Sequence, residues 1–127
     1  MQRRTLVLAS LGLIAVRPAV AAGPTFDKAG FAAAQAAGKQ IVLTVHADWC
    51  PTCTRQKPIL SRLLAEPGFK DIAYFSIDFD AEKELVREFG VRQQSTIIVF
   101  NGKLERMRST GATAEADLKA MLLAAGS

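Results

Sequence analysis

Apolar positions follow two different periods along this chain, and the change between them falls at one point. Ile41 to His46 is apolar and β-branched, as a buried strand requires, and Gln40 opens it. From Pro51 onward the spacing turns helical, with Ile59, Leu60, Leu63 and Leu64 on one face, until Glu66-Pro67-Gly68 ends the run near Ala65. Pro58 lies inside that helix and removes a backbone donor, so a kink is expected there, either a tolerated bend or one that projects the first turn outward. Upstream, Phe26 to Ala37 has a helical pattern, with Thr25 as its N-cap and Gly38 as its stop. Its alanines suit close approach to a sheet, and Phe26 and Phe31 serve as packing anchors. Downstream come a strand from Ala73 to Asp78, a short charged helix from Ala81 to Phe89 closed by Gly90, and a solid apolar strand from Thr96 to Phe100. Asn101-Gly102 then signals a hairpin into Lys103 to Ser109. After the break at Gly111, Thr113 is placed to cap a last helix that carries Glu115 and Asp117 in its first turn and buries Leu118, Met121, Leu122 and Ala125.

The resulting order is α-β-α-β-α-β-β-α, which places the chain in the α/β class. A strand–helix–strand unit crosses over right-handed, so the first two strands are parallel. The hairpin adds two more strands beside the first. The expected architecture is a mixed sheet in the order second, first, third, fourth, with helices on both faces. The first strand is then central, and its C-terminal end opens where ligands bind in such sheets.

Composition changes this picture at one end. Arg3 and Arg4 precede the apolar run Leu6 to Val16, and Ala19-Val20-Ala21 gives a small-x-small cleavage pattern. Residues 1–22 therefore have the pattern of a signal peptide, too short and wrongly flanked for a spanning helix, which leaves 23–127 as one domain and implies export to the periplasm. The arginine pair also resembles a twin-arginine signal, and the export route stays open. Removing Arg3, Arg4 and Arg17 takes Lys+Arg from 16 to 13 against 12 acidic residues, so the net charge of +4 is largely a property of the leader. Nothing remains to support nucleic-acid binding.

The chain's 2 cysteines, Cys50 and Cys53, fall at the junction of the two periods. Cys50 sits at the helix N-terminus and Cys53 one turn inside, close enough on a helix to form a small disulfide ring. Unpaired N–H groups and the positive end of the helix dipole favour the thiolate of Cys50, the form that attacks disulfides. Cys53, placed deeper, is the resolving thiol, and Pro51 suits the first helical position. This mechanism requires Cys50 to be reachable from solvent. A structural staple is the competing reading in an oxidising compartment, but a bridge over two residues restrains little chain entropy. A soft Cu(I) site made of His46, Cys50 and Cys53 is another alternative, and a redox-active binding module with little turnover is a third. Thr54 after the second cysteine excludes covalent c-type haem.

Ala47-Asp48-Trp49-Cys50, Cys53, Pro58-Ile59-Leu60, Ile77-Asp78, Phe89-Gly90-Val91-Arg92, Thr96 to Phe100 with Asn101-Gly102, and Gly111 occur in an order and spacing that resembles the thioredoxin family. The resemblance covers nearly all of the chain after the leader. It implies a thioredoxin-like fold and thiol–disulfide exchange with protein thiols and disulfides, without a cofactor, with Cys50 nucleophilic and Cys53 resolving. Ala-Asp-Trp-Cys is especially similar to the C-terminal domain of the bacterial inner-membrane disulfide reductase, which points to a reductive role; in an oxidising compartment that role needs a partner to resupply electrons, expected to be a membrane reductase, and the chain itself is expected to be a monomer. Trp49, Pro51, Thr52, Gln94 and Ser95 fall where the family contacts substrate.

Four positions depart from the family pattern. Pro51-Thr52 replaces Gly-Pro. Thr44 stands where the family has a buried acid, and a hydroxyl cannot accept a proton near neutrality as a carboxylate does. His46 replaces an aromatic residue, as a strand-end histidine or as a proton relay or thiolate partner. Ser95 replaces the proline that precedes the third strand in cis; a cis bond before a non-proline residue costs about 3 kcal/mol, so the Gln94–Ser95 bond is expected to be trans. Ser95 is either an inert loop residue or a hydroxyl close to the sulfurs. Arg55, Lys57 and Asp48 are expected on solvated surface.

Overall fold

A computed structural model describes residues 24–127, together with the isolated Gly12. Apart from Gly12, residues 1–22, read above as a leader, lie outside the described residues. The elements are α1 (Lys28–Ala36), β1 (Gln40–His46), α2 (Pro51–Leu64), β2 (Ala73–Asp78), α3 (Lys83–Glu88), β3 (Thr96–Asn101), β4 (Leu104–Thr110) and α4 (Glu115–Ala124). The strands form one 4-stranded sheet in the order β2-β1-β3-β4, the arrangement expected from the crossover and hairpin rules. β1 pairs parallel with β2, from Ile41↔Ala73 to His46↔Asp78, and antiparallel with β3. The β3–β4 hairpin turns at Gly102, whose φ of 59° suits the tight connection, and its register shifts between Val99 and Phe100.

The pleat of β1 divides the core in two. Ile41, Leu43 and Val45 point to one face, where Phe31 and Ala34 of α1 and Val86 of α3 cover them together with Ile77, Ile98 and Phe100. Phe26 and Phe31 are the anchors expected of them: Phe31 meets Phe75, Phe89 and Phe100 edge-on at centroid distances of 5.4, 5.4 and 5.6 Å. Val42 points to the other face, against Leu60 and Leu63 of α2 and Leu118, Met121 and Leu122 of α4. Thr44 and His46 alternate with Val45 and so lie on the α2 side.

Helix ends depart from the sequence reading. α1 begins at Lys28, and its cap is Asp27, whose carboxylate accepts the Gly30 N–H at 3.0 Å; Thr25 is not the cap. α3 is shorter than expected, starting after Glu82. α4 starts after Ala114 without a side-chain cap, so Thr113 does not fill that role, while Glu115 and Asp117 do occupy the first turn. α2 continues through Pro58 to Leu64.

Candidate active site

β1 ends at His46, the chain turns through Ala47-Asp48-Trp49, and Cys50 becomes the N-cap of α2 with Pro51 behind it. Sγ of Cys50 accepts the backbone N–H of Cys53 at 3.2 Å, so the sulfur takes the place an oxygen fills in ordinary caps. Cys53 sits one turn inside, with its thiol 3.8 Å from the Val45 carbonyl of β1. Both cysteines are free thiols.

The two sulfurs differ in acidity. Burial opposes ionisation of Cys50, but hydrogen bonds from the Cys53 thiol and N–H, the Ser95 hydroxyl and the Thr52 backbone outweigh it and hold its pKa below the ordinary thiol value. Cys53 moves the other way: burial pushes it up, and the hydrogen bond and charge of Cys50 push it further. At neutral pH more of Cys50 than of a free thiol is thiolate, and less of Cys53. Native alkylation of the reduced protein should therefore reach its plateau rate at a lower pH for Cys50 than for a cysteine peptide, and at a higher pH for Cys53. Site-resolved mass spectrometry reads both midpoints; coincident midpoints would remove the assignment of nucleophile and resolver.

The expected exposure of the cysteines needs correcting. Cys50 is only 2% exposed and Cys53 3%, so the first turn does not project them outward past Pro58. Ala47 and Phe79 close around them because the turn after β1 folds over the sheet end. Cys50 is therefore not open to solvent as the mechanism requires, although its chain neighbours Trp49 and Pro51 are exposed, and attack on a substrate needs this cover to move aside. Trp49, expected on the substrate surface, is 59% exposed, and its indole N–H donates to Asp80 at 2.6 Å.

On the α2 side of β1 a cavity of about 70 Å³ reaches Cys53, lined by Thr44, His46, Gln56, Lys57, Tyr74 and Ser76 among others. At about 10–15 Å³ of such space per water, it has room for several. Hydroxyls stand in its wall beside the apolar Val45 and Leu60: the Thr44 hydroxyl donates to Ser76 Oγ at 3.1 Å, and burial raises the Tyr74 phenol despite its hydrogen bond with Thr44. His46 is partly exposed and pairs with Asp48 at 3.0 Å, while Arg55, Lys57 and Asp48 lie exposed as expected. The Cu(I) alternative is not favoured. Among the described residues no three His, Cys, Asp or Glu side chains converge to hold a metal, because His46 turns to Asp48 while Cys53 points to the Val45 carbonyl.

Ser95 lies beside the nucleophile. The Gln94–Ser95 bond is trans, as expected, and Ser95 is 5% exposed with its Oγ 3.8 Å from Cys50 Sγ. Gln94 is half-buried, as is Thr52. Sequence reasoning missed Gln56, a polar side chain 4% exposed on α2, whose amide donates to the Ser95 carbonyl at 3.1 Å and the Ala112 carbonyl at 2.8 Å. Its place three residues after Cys53, on the face that also buries Leu60 and Leu63, was the available signal.

A mixed sheet covered on both faces, with a dithiol at the N-terminus of the helix that follows its central strand, defines a protein of the thioredoxin-like class. The family description "Thioredoxin" matches residues 23–124, and the chain belongs to the thioredoxin family. It is similar to thioredoxin H-type of Brassica campestris, 31% identical over 91 residues that make up 72% of each chain. The crystal structure of Trxlp from Edwardsiella tarda EIB202 superposes with a TM-score of 0.76 at 38% identity, covering 78% of this chain and 96% of that one. The similarity to thioredoxin Asp f 29 of Aspergillus fumigatus, 32% identical, covers 47% of this chain and spans 54% of that protein's length.

Proposed function

We propose that the protein is a thiol–disulfide oxidoreductase that reduces protein disulfides through Cys50 and Cys53. The observation that carries this reading is a pair of free thiols at one helix N-terminus, with Cys50 Sγ accepting the Cys53 N–H at 3.2 Å. The Cys50 thiolate attacks one sulfur of a substrate disulfide; a Cys50–substrate disulfide forms and the other substrate sulfur leaves as thiolate. Cys53 then loses its proton and attacks Cys50 Sγ. The Cys50–Cys53 disulfide forms, the second substrate sulfur is released, and two electrons have passed to the substrate. A dithiol donor returns the pair to the reduced state.

Reduction is supported by the place of thioredoxin at the reducing end of these couples, about −270 mV. Export is supported by the pattern of residues 1–22, and in the periplasm a membrane reductase would resupply electrons to what we take to be a monomer. Trp49, Pro51, Thr52 and Gln94 rim the dithiol and provide the substrate surface. Without a buried acid at Thr44, the proton of Cys53 leaves through the hydroxyl-lined cavity toward His46. The test is turnover of insulin disulfides by the full chain with dithiothreitol as donor. Continuous reduction is expected, and its absence, with insulin retained in a complex, would favour a binding module instead. In the same assay His46→Phe should slow release of the mixed disulfide roughly tenfold, below the usual general-base effect because water also reaches the cavity; unchanged release would leave water as the sole acceptor.

A further inference from the structure

Ser95 is the one non-glycine among the described residues with a positive φ, 59°. That conformation is unfavourable for a side chain with a Cβ, so something must hold it. Three backbone-directed hydrogen bonds do. The Ser95 N–H donates to the Val45 carbonyl at 2.8 Å, and its carbonyl accepts from Gly111 N–H at 3.1 Å and from Gln56 Nε2 at 3.1 Å. The Gln56 amide is unambiguous in orientation, because both of its near partners, Ser95 O and Ala112 O, are carbonyls that only an NH₂ can satisfy. The result is that Ser95 has no backbone freedom left, and its hydroxyl lies 3.8 Å from Cys50 Sγ.

We propose that Ser95 is a catalytic residue whose hydroxyl donates to the Cys50 thiolate, and that Gln56 is the positioning residue that holds it there. Either atom can donate while Cys50 is a thiol; once the proton leaves, the sulfur only accepts, and the hydroxyl rotates to donate to it. The inference rests on the reading of Cys50 as the nucleophile. On the elements around Cys50, the titratable and charged groups are Cys53, Arg55, Lys57 and Arg62 of α2, His46 at the end of β1, Asp48 after it, Tyr74 and Asp78 of β2, Asp80 after it, and Arg92 in the segment leading to Ser95. Of these, Cys53 is hydrogen-bonded to Cys50, through its backbone N–H at 3.2 Å. A proline at this position has neither a hydroxyl nor an N–H, so the device belongs to the serine.

The pH dependence of Cys50 alkylation in the reduced full chain tests this, with Ser95→Ala, Ser95→Gly and Gln56→Met. Serine and alanine share the backbone strain, whereas alanine and glycine share the missing hydroxyl. Loss of the donor should move the Cys50 midpoint up by about one pH unit in both Ser95 variants, the low end of what a hydrogen bond to a charged group contributes. Attack at pH 7 should slow about threefold, since lower thiolate content is partly offset by higher intrinsic nucleophilicity. Gln56→Met should move the midpoint the same way, and adding it to Ser95→Ala should move it no further, because the amide acts through the hydroxyl. A wild-type midpoint in folded Ser95→Ala, a shift in Ser95→Gly alone, or additive shifts in the double variant would overturn the assignment. If insulin turnover is absent in the wild type while the midpoint still follows Ser95, the function falls and this inference stands. If turnover is present and the midpoint ignores Ser95, the inference falls alone.

Discussion

Cys53→Ser is expected to arrest the protein as a covalent mixed disulfide, with insulin turnover lower by on the order of a hundredfold or more. Cys50 keeps its place as the N-cap of α2, because the N–H it accepts comes from the backbone of residue 53 and not from its side chain. The first step therefore survives. The second does not, since a serine hydroxyl ionises far too weakly to displace the substrate sulfur. A trapped one-to-one adduct should appear by mass spectrometry, linked through Cys50 and released by dithiothreitol. Cys50→Ser should yield no adduct and only background turnover. An adduct on Cys53 instead, or substantial turnover by Cys50→Ser, would exchange the roles of the two thiols. The measurement also decides whether the cover over Cys50, 2% exposed, opens to a protein substrate.

The second large effect is on stability. Ser95→Pro, which restores the residue typical of the family, should destabilise the fold by about 3 kcal/mol or more. Proline fixes φ near −65°, whereas Ser95 is held at 59°, so the segment before β3 cannot keep its path. Proline also removes the N–H that satisfies the buried Val45 carbonyl at 2.8 Å. That carbonyl lies one residue before the end of β1, beside the Cys53 thiol, so the strain falls on the site itself. A thermal midpoint lower by roughly 15 °C is the expected reading for a domain of about this size. A variant as stable as the wild type would show that the segment has a second backbone path of equal energy.

Much of the architecture was legible in the residues. β-Branched and apolar runs identified β1 and β3, Tyr74, Phe75 and Ile77 identified β2, helical spacing identified the faces of α2 and α4, and Asn101-Gly102 placed the hairpin. The sheet order followed from connection rules that depend on chirality and not on detail. The Cys-x-x-Cys junction was equally plain, because a strand-to-helix transition is a local event, and so was the trans bond before Ser95, which follows from the local energetics of the amide. Helix caps were less secure. Thr25 and Asp27 compete for the same few N–H groups, and only the path of the chain into α1 selects Asp27.

Contacts between distant segments belonged to the tertiary structure alone. Cys50 and Ser95 are 45 positions apart, and Gln56 and Ala112 are 56 apart. No period or propensity records which loops the closed sheet brings over one helix end. The sequence by itself determined that a dithiol stands at the head of α2, because hydrophobic spacing and backbone chemistry act over a few residues. Packing decided what surrounds it: a covered nucleophile, a hydroxyl turned toward it by a strained backbone, and a polar cavity behind its partner. Those are set by the closing of the fold.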